Sequence, residues 1–298
     1  MKKFLFDILI GFIAFVCFWG VAEYVFSQHD VVNSYSYKYN YVKNNPAIKT
    51  LLIGNSHFEN SVNPYLMGDC VFDFAISGRW IYWDVLLAKQ MYPTMPNLKT
   101  VIIPTGYATP YWSLHYKKFR EIDKEYAFKY AKNMHLYYDV FPDNMILSSA
   151  LITNKMGLKY WIDEEVDSLG YDMITGHEEN FDNHNVSPDV MYSSRADLSF
   201  NEYISHLREI ARICQENNIR FIAVTCPCAD SYVRNTRPAG IQKLHDLMDS
   251  VRAYYPIEYY NYLNDPEFRE DSLYYNCSHL NSIGADKFAI RLKNDLGL

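Results

Sequence analysis

Beyond about residue 49 the chain encodes an α/β domain of three layers, with helices covering both faces of a mostly parallel five-stranded sheet. Two patterns carry that expectation. Short runs that are apolar on consecutive positions recur at KTLLIG (49–54), CVFDFAI (70–76), KTVIIPT (99–105), IRFIAVT (219–225) and IEYYNY (257–262). Strands covered on both faces read this way, whereas a strand with one wet face alternates. Among these runs lie segments of helical period, as the crossovers between parallel strands require.

The helices are placed by their own punctuation. Ser199-Phe200-Asn201-Glu202 fits a capping box, Ile204, Leu207, Ile210, Ala211 and Cys214 then share one face, and Asn217-Asn218 closes the helix. The run 219–225 follows at once. Residues 240–254 and 282–296 read the same way, the latter with Ile283, Phe288, Ala289, Leu292 and Leu296 on its apolar side. From about 107 to 198 runs an insertion too long for a plain crossover, so helices or a cap over the strand ends are expected there. One piece of it, KKFREIDKEYAFKYAKN (117–133), is amphipathic.

With 298 residues, 49% of them hydrophobic, the chain can bury one large core, and a single main domain is expected. A net charge of −7 without a block of lysine or arginine excludes nucleic acid as a partner, because affinity for a phosphate backbone comes from clustered cations.

The N-terminus has its own character. Met1-Lys2-Lys3 precedes ILIGFIAFVCFWGVA (8–22), and the stretch from Phe4 to Phe26 is interrupted only by Asp7 and Glu23 near its ends. As a helix it would span roughly 34 Å, enough to cross a bilayer. A cleaved signal peptide would need small residues at its cleavage site, and VAEYVFSQ offers bulky ones, so an uncleaved anchor is the reading. Lys2 and Lys3, with no further lysine until Lys38, place the N-terminus in the cytoplasm and the remainder outside. The expected organisation is a membrane anchor at 1–28, a stalk at 29–48 and the main domain at 49–298. In the stalk, Tyr35, Tyr37, Tyr39 and Tyr41 alternate, which suits headgroup contacts, a strand or a packed stalk.

Six cysteines include Cys17 in the span and five beyond it, so at most two disulfides can form in the oxidising compartment this topology implies. No pair, Cys226-Pro227-Cys228 included, has zinc-ligand spacing. GHEENFDNHN (176–185) carries His177 and His184 without a spacing that would bring them together, and reads as a solvated polar loop. Neither a metal nor an organic cofactor is expected.

Three segments bear on chemistry. Ligands of an open α/β sheet bind beyond the carboxyl ends of its strands, and Ser56 of LLIGNSHFENSVNP (51–64) lies just past the first of them. Alone, Ser56 or Asn55 is as well read as a helix cap. FAISGRW (74–80) places Gly78 just past the second strand, where a bare backbone N–H can approach a ligand. YYNCSHLNSIGADKF (274–288) places His279 immediately before the final helix.

These pieces, in this order, resemble the SGNH/GDSL hydrolase superfamily over roughly residues 49–298. GNSH matches its first motif, in which the serine is the nucleophile, and SHLNSIGADKF its last, in which the histidine is the general base. The resemblance implies a flavodoxin-like sheet, catalysis by Ser56 and His279, and an oxyanion hole that includes the N–H groups of Ser56 and Gly78. Two departures stand out. The third motif, Gly-x-Asn-Asp, is absent; IPTGYATPYW (103–112) stands there, leaving Thr105, Gly106 or Tyr107 to supply a donor or contact the substrate. Losing one such donor costs about 10²–10³ in rate.

The second departure concerns the acid, which the family places three residues before the histidine; this chain has Asn276 there. An asparagine oxygen orients the ring but offers no countercharge, and in a serine protease the same exchange costs about 10⁴. A Ser56–His279 dyad, an acid recruited from Asp271 or Asp230, or a slow enzyme all remain open.

The resemblance and the anchor together imply a serine esterase or acyltransferase working on O-acyl groups of a cell-envelope glycan at the outer face of the cytoplasmic membrane. Such proteins often work beside a membrane-bound acyltransferase. The alternative is a catalytically degenerate glycan-binding or scaffold protein, with Trp80, Trp83, Tyr107, Tyr111 and Trp112 near the strand ends offering surfaces for sugar stacking.

Overall fold

The computed structural model describes residues 1–28, 34–111, 167–181, 196–236 and 238–298. They fall into two compact units, one holding the described residues up to Tyr39 and the other those from Asn40 onward.

In the first unit, helix α1 (Lys2–Gln28) contains a 24-residue stretch, Lys2–Val25, long and apolar enough to cross a membrane. Helix α2 (Ser34–Asn44) begins in this unit. The alternating tyrosines are therefore carried on a helix and not on a strand. Tyr35 and Tyr39 lie one turn apart and stack with ring centroids separated by 6.3 Å, the i,i+4 relationship that a helix provides.

The second unit is built on β1 (Thr50–Leu52), β2 (Val71–Asp73), β3 (Thr100–Pro104), β4 (Arg220–Thr225) and β5 (Glu258–Asn261). They pair in the order β2-β1-β3-β4-β5, and every pair is parallel. Leu51 and Leu52 are both fully buried, as are Ile222, Ala223 and Val224, which explains the consecutive apolar runs. β5 closes one edge and is only partly buried; there Glu258 accepts two hydrogen bonds from the Arg220 guanidinium, at 2.5 and 2.6 Å.

The strands are connected by α3 (Ser56–Glu59), α4 (Pro64–Met67), α5 (Ile81–Met91), α6 (Ala196–Glu216), α7 (Asp230–Asn235) and α8 (Pro238–Arg252). A two-stranded antiparallel ribbon, β6 (Tyr274–Asn276) and β7 (His279–Leu280), leads into α9 (Ser282–Leu296). Leu52, Ile102, Ile222 and Val224 share one cluster with Phe288 and Leu292 of α9. The intervening side chains point to the opposite face, on whose side α5 and α6 pack together. The result is three layers.

One helix start and one buried face differ from the sequence reading. α6 starts at Ala196, so Ser199 lies inside the helix and is buried instead of capping it. In α9 the buried residues are Ala285, Phe288, Ala289, Leu292 and Leu296, while Ile283 is 65% exposed. Two residues of helix are a rotation of about 200°, which carries Ile283 to the far side from Ala285.

Of the insertion at about 107–198, the amphipathic piece 117–133, Trp112 and His184 lie outside the described residues. Residues 167–181 are irregular and lace the domain together. Asp73 donates its N–H to the Leu169 carbonyl, Asp172 to that of Glu59, Ser282 to that of Ile174 and Glu178 to that of Tyr275. Gly170 (φ +85°) lies so close to β2 that a Cβ would meet the Asp73 carbonyl oxygen at 2.1 Å.

Candidate active site

The site begins where β1 ends. Gly54 (φ +105°) turns the chain so tightly against Pro104 that a Cβ would come within 2.4 Å of its Cδ, and two residues later α3 starts. Asn55, in extended conformation, caps that helix by accepting the His57 N–H at 3.1 Å. Because Asn55 serves as the cap, the Ser56 hydroxyl is left for another partner. That partner is His279, whose Nε2 lies 2.8 Å from Ser56 Oγ.

His279 is held from the other end of the chain by the β6–β7 ribbon. Asn276 Oδ1 accepts from the Ser278 N–H (3.1 Å), the Ser278 hydroxyl (3.3 Å) and the His279 N–H (3.0 Å), and lies 3.0 Å from His279 Nδ1. These donors orient the carboxamide, with oxygen toward the turn and nitrogen away. An Nδ1–H donated to that oxygen leaves Nε2 as the bare nitrogen facing the Ser56 hydroxyl, the tautomer a base requires. Ser278 Oγ is also 3.0 Å from Nδ1.

The Nδ1 acceptor is therefore Asn276 itself, not Asp271 or Asp230. Asp271 opens the turn Asp271–Leu273, and Asp230 starts α7 and faces Arg234 at 4.0 Å. Behind Asn276 stands a carboxylate the sequence did not reveal: Asn276 Nδ2 donates to Glu178 Oε2 at 3.1 Å. Glu178 reaches that position because segment 167–181 runs alongside β6, with Glu178 N–H on the Tyr275 carbonyl (2.8 Å) and Cys277 N–H on that of Phe181 (2.9 Å). No local pattern in GHEENFDNHN announces this register, and His177 of the same stretch is exposed.

His57 was likewise missed, although it adjoins Ser56. Its ring lies parallel to that of His279, with centroids 4.8 Å apart. Burial pushes its pKa down to about 4, against a hydrogen bond to the Ser278 backbone that raises it, and its Nδ1 is buried without a partner among the described residues. At neutral pH this ring is uncharged.

Gly78 sits in the exposed turn after β2 with φ +72°. That turn is tied to the serine-bearing helix, since Ser77 donates its N–H to the Glu59 carboxylate. Thr105, Gly106 and Tyr107 line a small cavity of ≈ 20 Å³ together with His57, Cys226 and Cys228. The backbone donors considered for the oxyanion are engaged elsewhere: Thr105 N–H goes to the Val224 carbonyl (2.8 Å) and Gly106 N–H to Thr109 Oγ1 (3.1 Å). The Thr105 hydroxyl accepts from Tyr203 at 3.3 Å. By contrast, the Ser56 N–H has no partner among the described residues.

The aromatic residues near the strand ends are mostly core. Trp83, Tyr107 and Tyr111 are buried, and Trp80 meets His206 edge-on at 5.1 Å. All six cysteines are free thiols, and burial pushes that of Cys226 well up. Among the described residues no group of three or more His, Cys, Asp and Glu side chains is placed to hold a metal ion.

A sheet of order 2-1-3-4-5 thus brings a serine just beyond β1 against a histidine just ahead of the last helix. The parallel order of the sheet is the flavodoxin-like one that the sequence resemblance implies. No family model and no curated protein matches the chain. Among solved structures it is similar to a GDSL-like lipase from Bacteroides thetaiotaomicron, at 12% identity and a TM-score of 0.43, covering 88% of this chain and 98% of that one. It is also similar to a candidate acylhydrolase from Bacteroides fragilis, at 11% identity and a TM-score of 0.41, covering 84% of this chain and 86% of that one.

Proposed function

We propose that the protein is a serine esterase or acyltransferase acting on ester-linked acyl groups of a cell-envelope glycan. The observation that carries this reading is the 2.8 Å approach of Ser56 Oγ to His279 Nε2, with Nδ1 held by Asn276. Ser56 Oγ bonds to the acyl carbon while its proton passes to Nε2, and the carbonyl π pair moves onto oxygen. The N–H groups of Ser56 and Gly78 receive that charge. Collapse breaks the ester C–O bond, and the departing alcohol takes the proton back from Nε2. Water, or a sugar hydroxyl in the transfer reaction, then repeats the sequence on the acyl-enzyme.

Thr105, Gly106 and Tyr107 contribute substrate contacts through the cavity they share with His57. In this reading α1 is a single-pass anchor in the cytoplasmic membrane, its N-terminus inside and residues 49–298 outside, following Lys2 and Lys3. Residues 29–48 connect the two. A membrane-bound acyltransferase is the natural partner where the reaction is transfer.

The experiment uses the full-length protein in detergent micelles. Release of p-nitrophenol from p-nitrophenyl acetate and labelling by a fluorophosphonate are measured for wild type, Ser56→Ala and His279→Ala. Both variants should lose at least about 10³ in turnover, and Ser56→Ala should lose labelling entirely. Turnover unchanged in Ser56→Ala ends the nucleophile assignment, and tight saccharide binding by an unlabelled wild type points to a binding protein instead.

A further inference from the structure

Asn276 presents one oxygen to four hydrogen-bonding groups of the Ser278–His279 turn, a demand a carboxylate meets better than a neutral amide. Its other end is not neutral ground. The amide nitrogen donates to Glu178 Oε2 at 3.1 Å, so Ser56, His279, Asn276 and Glu178 form one continuous hydrogen-bonded chain. Chains of this kind polarise one another: a carboxylate drawing on Nδ2–H pushes electron density onto Oδ1, the atom that receives Nδ1–H.

We infer that Glu178 supplies, through the Asn276 carboxamide, the countercharge that the His279 imidazolium otherwise lacks. It is a positioning residue for the base, and the inference rests on the nucleophile–base reading above. The aspartate expected three residues before the histidine has in effect been divided in two. Asn276 keeps the hydrogen-bond geometry, and Glu178, from a segment about a hundred residues earlier, keeps the charge.

Other titratable groups surround the pair, and all are retained in the variants below. From α3, His57 stacks on His279 and is neutral at pH 7. The thiols of Cys228 and Cys277 are buried nearby, and Asp230, Asp265 and Asp271 act on Tyr274 of β6. Beside Glu178 stand His177 and Glu179 on its own segment and Tyr275 on β6.

The probe is a fluorophosphonate, whose phosphorus takes Ser56 Oγ as fluoride leaves, so no natural substrate is needed. Its second-order rate of labelling is followed from pH 5 to 9 on the full-length protein. Glu178→Gln retains an oxygen for Asn276 Nδ2–H and removes the charge. The acidic limb of the rate profile should move down by about one pH unit and the plateau should fall about tenfold. Asn276→Asp added to Glu178→Gln places a carboxylate directly on Nδ1 and should restore the limb and most of the plateau. Asn276→Asp alone sets two carboxylates side by side, which compete for one proton, and its plateau should lie below that of the double variant.

A purely structural Glu178 would lower the plateau without moving the limb. A limb unmoved by Glu178→Gln, or a double variant no faster than Glu178→Gln, overturns the inference while Ser56→Ala still abolishes labelling. Labelling that survives Ser56→Ala overturns the nucleophile reading itself and this inference with it.

Discussion

The rings of His57 and His279 lie face to face, 4.8 Å between centroids and 1° from parallel. Such a neighbour is useful to a base only if it stays neutral, since a second imidazolium there would oppose protonation of the first. Burial ensures that, holding His57 down to a pKa of about 4. His57 thus covers one face of His279 and anchors to the Ser278 carbonyl, next to the residue it shields.

A pH dependence of stability follows. Unfolded, His57 titrates near 6.5; folded, near 4. Between those values the unfolded chain holds the extra proton, so the contribution is complete above about pH 6.5, declines as pH falls, and is gone by about pH 4. Allowing for the partial exposure of the residue, it amounts to about 2 kcal/mol, or roughly 5 °C in Tm for a domain of this size. Melting curves from pH 7 to 4 should show wild type losing that much more than His57→Phe. Equal slopes would remove His57 as the titrating group.

The turn that presents His279 depends on Asn281. Its Oδ1 caps α9 by accepting from the Ile283 and Gly284 N–H groups, both at 3.1 Å, while Nδ2 donates to the carbonyls of Ser272 (2.8 Å) and Tyr274 (3.3 Å). Asn281→Ala removes a cap worth about 1 kcal/mol and takes the Nδ2 donor from the carbonyls of Ser272 and the buried Tyr274, for a total near 3 kcal/mol. Urea unfolding should show a lower midpoint at unchanged slope. Asn281→Asp keeps the cap and loses both donors, so it should recover less than half of the loss.

Much of this was legible in the chain, for reasons particular residues make plain. Consecutive burial along Leu51-Leu52 and Ile222-Ala223-Val224 leaves a mark in the sequence itself, and all five strands were found. Ser56 and His279 were visible because each stands beside a local signal, a strand end or a helix start. Glu178 was not, because its place is set by backbone pairing of an irregular segment with Tyr275 and Cys277, far away in sequence. Ser199 misled because a serine followed three residues later by glutamate is a cap only where the helix begins, and α6 begins earlier. Of the alternatives the tyrosine alternation left open, the helix removes the strand, because a period of two also places Tyr35 and Tyr39 one helical turn apart.

The loop bearing Gly78 depends on an ion pair sealed in the core. Arg79 and Asp84 are each 1% exposed in their side chains, and Asp84 Oδ1 accepts from the Arg79 guanidinium and from the Gly54 N–H at 3.2 Å. One carboxylate therefore joins the turn before Ser56 to the turn after β2. Burial raises the Asp84 pKa, while the charge and hydrogen bonds of Arg79 oppose that rise. Asp84→Ala removes the carboxylate that faces a buried guanidinium and should cost about 3–5 kcal/mol, whereas Arg79→Met with Asp84→Leu, which removes both charges, should cost less. The double variant separates folding from function. It should retain most of its thermal stability yet hydrolyse p-nitrophenyl acetate at least about tenfold more slowly, because Gly54 has lost its acceptor and the Gly78 turn its tether. A double variant with wild-type turnover would show that this pair serves folding alone.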